Sequence, residues 1–225
     1  MLTIKCAYCG IPVSKRDREH VVPKCLYPAS KSGSKIQRLT IPACKLCNNS
    51  FSDDEAHFRN VLLLAGEPND AVYELWSSTA RRSFNQVDGM RRVMDLFEQM
   101  KPIKTPDGDR YKIYPAKDER VVRIVRKIIR GLCHFHKALT PVADRRVWAD
   151  VLKYVVPQEF LDEMPIHHRD QHIFEYRYRV LHFEGIHSAW LLTFYKTRTF
   201  IGLISESDDG FSEAVSAKGG LVPCP

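Results

Sequence analysis

From Glu119 to His136 the apolar residues Val121, Val122, Ile124, Val125, Ile128, Ile129, Leu132 and Cys133 recur at helical spacing, the clearest such pattern in the chain. A stripe of that period fits an amphipathic helix with one buried side. Further on, Phe174-Glu175-Tyr176-Arg177-Tyr178-Arg179-Val180 alternates aromatic and charged residues with period two, which predicts a strand with two unlike faces. Residues 189–195 and 199–204 read as a hairpin joined through Lys196-Thr197-Arg198. Earlier in the chain, Val72, Leu75, Trp76, Ala80 and Phe84 keep helical spacing after the stop and new cap at Gly66-Glu67-Pro68-Asn69-Asp70. A second helix is predicted near Met90 to Met100, ended by Pro102, and the turn Pro106-Asp107-Gly108 leads into a strand at Tyr111-Lys112-Ile113-Tyr114.

The first fifty residues follow a different logic. Arg18-Glu19-His20-Val21-Val22-Pro23 reads as a short strand stopped by proline, and Ser52 with Glu55 forms the signature of a capping box opening a helix. These elements predict an α+β chain, with mixed helices and an antiparallel sheet in its C-terminal part. A chain of 225 residues is long enough for a small N-terminal module, residues 1–65, and an accessory domain, residues 66–205. Residues 206–225 are rich in Gly, Ser and Pro and are expected to be a mobile tail.

Charge narrows the classes of function. The formal net charge is +7, which favours a polyanionic partner, because each phosphate neutralised by Lys or Arg releases condensed counterions. The polar side of the 119–136 segment carries Arg120, Arg123, Arg126, Lys127 and Arg130. Such a row either lies along a phosphate backbone or is a solvated helix face, the commoner outcome. The aromatic and basic alternation at 174–180 either stacks unpaired bases or forms cross-strand pairs within the sheet, again the commoner outcome. No apolar run approaches the roughly 20 residues of a membrane-spanning helix, Val61-Leu62-Leu63-Leu64-Ala65 being far too short, so no membrane role is indicated.

Seven cysteines complete the inventory. An odd count argues against a secreted disulfide framework, and Met1-Leu2-Thr3-Ile4-Lys5 runs into the first cysteine motif without a signal peptide, so a cytoplasmic protein is expected. Cys25, Cys133 and Cys224 fit no spacing pattern. The other four form two Cys-x-x-Cys pairs, Cys6/Cys9 and Cys44/Cys47. Paired two-residue gaps suit a tetrahedral Zn²⁺ site better than disulfides or chance core positions. With all four ligands from protein, such a zinc holds the fold and does no chemistry. His167, His168 and His172 lack a cysteine or acidic frame and are not read as a metal site.

Read in order, C-x-x-C, then E-H-V-V-P, then L-T-I-P-A-C-x-x-C-N-N-S, residues 4 to 62 resemble the HNH endonucleases, whose ββα-metal fold is often braced by a four-cysteine zinc. The resemblance implies that His20 is the general base that activates water, and that Glu19 and Asn48 ligate a catalytic Mg²⁺ or Mn²⁺, with His57 a weaker rival as second ligand. A neutral histidine of ordinary pKa suits water activation near neutral pH independently of the family. The substrate implied is DNA, with double-stranded DNA first, and stand-alone members of this size resemble components of restriction and phage-defence systems. Two features depart from the family pattern. The middle asparagine has no clean counterpart, Gln37 being nearest in register, and the basic residue after the post-knuckle asparagine is replaced by Ser50 and Phe51, leaving Lys45, Arg38 or Arg59 to meet phosphate. Residues 66–225 resemble no family, so they could select DNA, form a homodimer or bind another protein. A zinc module that binds nucleic acid without catalysis, or an RNA endonuclease, remain the alternatives to a DNA nuclease.

Overall fold

The computed structural model describes residues 4–14, 17–28, 38–64, 69–86, 88–104, 106, 108, 110–115, 117–170 and 172–211. The chain is of mixed α and β structure. Strands β1 (Arg18–His20) and β2 (Thr40–Pro42) pair antiparallel, with Glu19 opposite Ile41 and His20 opposite Thr40. Helices α1 (Lys45–Asn49) and α2 (Ser52–Leu64) follow directly. Asp53, Asp54 and Glu55 crowd the first turn of α2, where carboxylates meet the positive end of the helix dipole. The expected capping box is replaced by a longer reach: Glu55 turns its carboxylate to Lys127.

Next comes a nearly continuous helical stretch. It comprises α3 (Asp70–Leu75), a π-helical turn (Trp76–Ala80) and α4 (Arg81–Phe84). The Asn69 side chain caps α3 by accepting from the Val72 N–H at 3.1 Å, as an Asx N-cap should. Helix α5 (Gly89–Gln99) buries Val93 and Leu96, close to the expected boundaries. Pro102, expected only as a helix stop, also sits in a strand, β3 (Lys101–Lys104), paired with β4 (Arg110–Ile113).

Helix α6 (Glu119–Phe135) is the centre of the molecule. After it come β5 (Val147–Val151), the short α7 (Gln158–Asp162), β6 (Ile166–Asp170), β7 (Phe174–Phe183), β8 (Ile186–Phe194) and β9 (Arg198–Ser205). The strands form one antiparallel sheet in the order β5-β9-β8-β7-β6. The expected hairpin is β8–β9, while β5 and β6 extend the sheet at its two edges.

Two glycines show how closely α6 is wedged between its neighbours. A Cβ on Gly131 would lie 3.0 Å from both Val21 methyl carbons and 3.3 Å from Ile41 Cδ1, so the β1–β2 pair rests on the helix there. A Cβ on Gly202 of β9 would lie 2.1 Å from Ile129 Cδ1, so the sheet meets the helix just as tightly. Helix α2 reaches the sheet as well, with the Phe58 ring edge-on to Phe194 at 5.2 Å and tilted to Phe200 at 5.7 Å. The Tyr195 hydroxyl donates to the Leu26 carbonyl at 2.7 Å. Buried side chains from Cys6 to Ile204 accordingly form a single cluster. The expected division falls at residues 65 and 66, outside the described residues, and the side chains before and after it share that one core.

The aromatic face of β7 turns inward. Phe174 and Tyr176 are buried, and the Tyr176 and Tyr178 hydroxyls pair with the two ring nitrogens of His136 at 2.9 and 3.1 Å. Tyr178 stacks on the buried Trp190 at 4.6 Å, and His167 stacks on Tyr176 at 5.0 Å. These contacts are ring pairs within the sheet, and Phe174, Tyr176 and Trp190 are buried in the core. The His168 side chain and the chain from 212 onward, including Cys224, lie outside the described residues, as does Gln37. Ser205, just before the expected tail, is buried, and Arg146 holds the Ser205 carbonyl at 2.7 Å and, within that tail, the Asp208 carboxylate at 2.6 Å. Among the described residues no helix is long and apolar enough to cross a membrane.

Candidate functional site

The two cysteine pairs converge. The sulfurs of Cys6, Cys9, Cys44 and Cys47 lie within 4.8 Å of one another, and Cys9 and Cys44 are 3.8 Å apart. A tetrahedron with metal–sulfur bonds near 2.3 Å has sulfur–sulfur edges of about 3.8 Å, so the four side chains fit a metal ion of zinc's preference. Local chemistry builds both knuckles. Cys44 caps α1 by accepting the Cys47 N–H on its sulfur at 3.4 Å. In the first knuckle Gly10 N–H returns to the Cys6 carbonyl at 2.9 Å, with Gly10 at φ +76°, a turn that favours glycine. The Ala7 N–H then binds the Pro42 carbonyl at 2.9 Å and ties this knuckle to β2. Burial pushes the Cys6 thiol up, but hydrogen bonds from the Cys44, Cys9 and Tyr8 backbones outweigh it and bring the group down to about 7. Burial and the neighbouring sulfurs push Cys47 up. Four sulfurs packed this closely repel one another as thiolates, which is the charge problem a divalent ion solves.

His20 ends β1 on the surface side of the strand and is half-buried. Burial, followed by the positive fields of Lys24, Arg38 and Lys127, lowers its pKa to about 4, so the imidazole is neutral at physiological pH. Its Nδ1 is buried, with no hydrogen-bond partner among the described residues. Lys24 is exposed just beyond Pro23, and Arg38 lies over the Tyr27 ring at 4.7 Å. A neutral base ringed by cations is suited to an anionic substrate. Sequence reasoning had not singled out Lys24, although its place one residue after the strand-ending proline was a usable signal.

Glu19 faces the other way, as the alternation of a strand requires. It is 6 % exposed, and its Oε1 accepts from Lys127 Nζ at 2.6 Å. Lys127 is fully buried and donates also to Glu55 Oε1 and, at 3.1 Å, to the His20 carbonyl. Asn48 stands half-buried on α1. His57 is engaged elsewhere: its Nε2 lies 2.6 Å from Asp118 Oδ2 and 3.2 Å from the Tyr114 hydroxyl.

The expected row of phosphate-binding cations on α6 is mostly turned toward the protein. Lys127 and Arg130 are buried, which corrects their expected role as DNA contacts. Arg130 donates to the Tyr8 carbonyl at 2.8 Å and to the Val142 carbonyl at 2.7 Å, clamping the first knuckle to the helix. Arg123 and Arg120 both grip Asp54, at 2.5 and 2.8 Å, and Arg126 pairs with Asp144 at 3.2 Å. Arg59 is 5 % exposed and bound to Asn60 and Ser83, so it too is withdrawn from solvent. Lys45, the first residue of α1, is exposed, as is Lys24. The signal for the buried cations lay in Gly131, one turn beyond Lys127. A glycine inside a helix costs about 1 kcal/mol relative to alanine, and close approach of another element explains it.

No family model matches the chain, and no curated protein or solved structure is detectably similar to it.

Proposed function

We propose that this protein is an endonuclease that hydrolyses phosphodiester bonds in DNA, with His20 as the base and the four-cysteine zinc as a structural brace. The observation that carries the reading is His20 itself, a neutral, half-buried imidazole at the end of a short strand, beside Lys24 and Arg38. The order of an antiparallel strand pair followed by helices, with a cysteine knuckle before and after the pair, supports the same assignment. In the proposed step a water attacks phosphorus and gives its proton to the His20 imidazole. The bond to the leaving 3′ oxygen breaks, and that oxygen takes a proton from solvent. Lys24, Arg38 and Lys45 hold the phosphate and offset its charge. Restriction or phage defence is the biological setting the resemblance suggests.

Cys6, Cys9, Cys44 and Cys47 would hold the zinc, which supplies a cross-link rather than a reactive group. The donor set for a catalytic Mg²⁺ or Mn²⁺ fits less well. Glu19 is committed to Lys127 and His57 to Asp118, so no step here runs through such an ion. That commitment is also the observation favouring a second reading, a zinc module that binds nucleic acid without cutting it.

Relaxation of supercoiled plasmid by zinc-loaded protein separates the two, run with Mg²⁺ or Mn²⁺, with no added ion, with single-stranded RNA in place of plasmid, and with His20→Ala. Nicking that disappears in His20→Ala supports the nuclease. An intact plasmid retarded on a gel supports the binding module, and cleavage confined to RNA moves the substrate class.

A further inference from the structure

We infer that Glu19 and Glu55 form a cation seat filled by the chain's own Lys127, so that Glu19 braces the strand bearing His20 and does not ligate a divalent ion. An ammonium has three N–H donors. Lys127 Nζ has three oxygens around it: Glu19 Oε1 at 2.6 Å, His20 O at 3.1 Å and Glu55 Oε1. Its donors are thereby fully used. The Phe51 ring lies close by, its centroid 5.3 Å from the ammonium, a favourable place for a cation.

An oxygen cage of this kind, two carboxylates and a peptide carbonyl, is also what a hard divalent ion would choose. The ion would have to displace the ammonium. Lys127 sits in the middle of α6 with its side chain at 0 % exposure, and Val21 and Ile41 close over Gly131 one turn later, so the ammonium is held in the interior. Nor could the carboxylates do without it. A buried carboxylate pair lacking a cation is strongly unfavourable, and the Glu55 carboxyl is pushed up by burial and by Glu19 even with Lys127 in place. The contact to the His20 carbonyl gives the seat its functional consequence: the charge that satisfies Glu19 also fixes the peptide unit carrying the imidazole.

Binding of Mn²⁺ alone tests the inference without reference to cleavage, so its outcome is separate from the fate of the nuclease reading. Zinc-loaded wild type, Glu19→Gln, Lys127→Met and the Lys127→Met/Glu19→Gln double variant are titrated with Mn²⁺ and followed by electron paramagnetic resonance, with thermal melts to confirm folding. Glu19→Gln keeps one carboxylate for one ammonium and should fold. Its Mn²⁺ binding is expected within twofold of wild type, or equally absent. Lys127→Met, where it folds, should take up Mn²⁺ at least tenfold more tightly than wild type, and the double variant should lose that gain. A tenfold or greater loss of Mn²⁺ affinity in folded Glu19→Gln would overturn the inference, as would a folded Lys127→Met with no new Mn²⁺ uptake. Where Lys127→Met does not fold, the Glu19→Gln result decides alone.

Discussion

His20 and Glu19 are adjacent in sequence and opposite in environment, one turned to the surface among cations, the other to a buried ammonium. On the proposed mechanism His20 is a general base, a role that contributes about 10²–10⁴-fold to rate, so His20→Ala should cut single-turnover cleavage by that factor while leaving the thermal melt almost unchanged. The sign of the pH effect follows from the lowered pKa. A histidine protonated only near pH 4 remains able to accept a proton throughout the physiological range, so the acid limb of the rate should lie below pH 5. A limb centred near 6.5 in the pH–rate profile would contradict the desolvated setting described for His20. Asp118 gives a stability test of the opposite residue type. Burial works against its charge, but hydrogen bonds from His57 and Tyr114 outweigh that and hold its carboxyl below the usual range. A carboxyl depressed in the folded state stabilises above its unfolded pKa, near 3.9, and loses that contribution as pH falls through the folded value. Asp118 also accepts from the Arg120 and Val121 N–H groups as the N-cap of α6. Asp118→Ala should therefore cost at least about 1 kcal/mol at pH 7 in urea titrations, with a smaller deficit at pH 2.

At the scale of elements, packing on α6 decides the outcome of small changes. Gly202→Ala would place a methyl group 2.1 Å from the fully buried Ile129, and overpacking of this kind costs about 1–3 kcal/mol, readable as a shift of the urea midpoint at unchanged slope. How much of the architecture was legible in the sequence differs from element to element for physical reasons. The apolar stripe of α6, the alternation of β7 and the β8–β9 hairpin were readable because those elements meet a continuous core. Strands β3 and β6, Lys101–Lys104 and Ile166–Asp170, carry too few apolar residues to show a period, and they form through backbone pairing with β4 and β7. The cysteine cluster was legible from spacing alone, since ligand geometry fixes it locally. Lys127 was not. A charged residue on a solvated face and one inserted into a cage of oxygens leave the same mark in a hydropathy pattern; Gly131 marks a close neighbour on that face, and the tertiary position of Glu19 and Glu55 identifies the cage.

At the scale of the whole molecule, one core serves both ends of the chain, and the four-cysteine cluster is tied into it. Removal of the zinc proposed for it should therefore unfold more than the knuckles. The Ala7 bond to β2 and the Arg130 bond to Tyr8 connect the cluster to the strand pair and to α6. Stripping the metal with a strong chelator, or Cys6→Ser, should lower the melting temperature of the entire cooperative transition, observed together by far-ultraviolet dichroism and tryptophan fluorescence. Residues 1–65 expressed alone should show no cooperative melt even with zinc, since Val21, Ile41 and Phe58 would lose their partners on α6 and the sheet. For the evolution of such a protein, the stretch Lys127 to Gly131 carries a further meaning. Any recombination breakpoint between residues 65 and 118 would part Glu19 and Glu55 from their ammonium, Tyr8 from its guanidinium, and Val21 from the glycine that makes room for it. The N-terminal segment cannot be exchanged by shuffling whole exon-like blocks. It can change only in step with one turn and a half of a later helix, from Lys127 to Gly131.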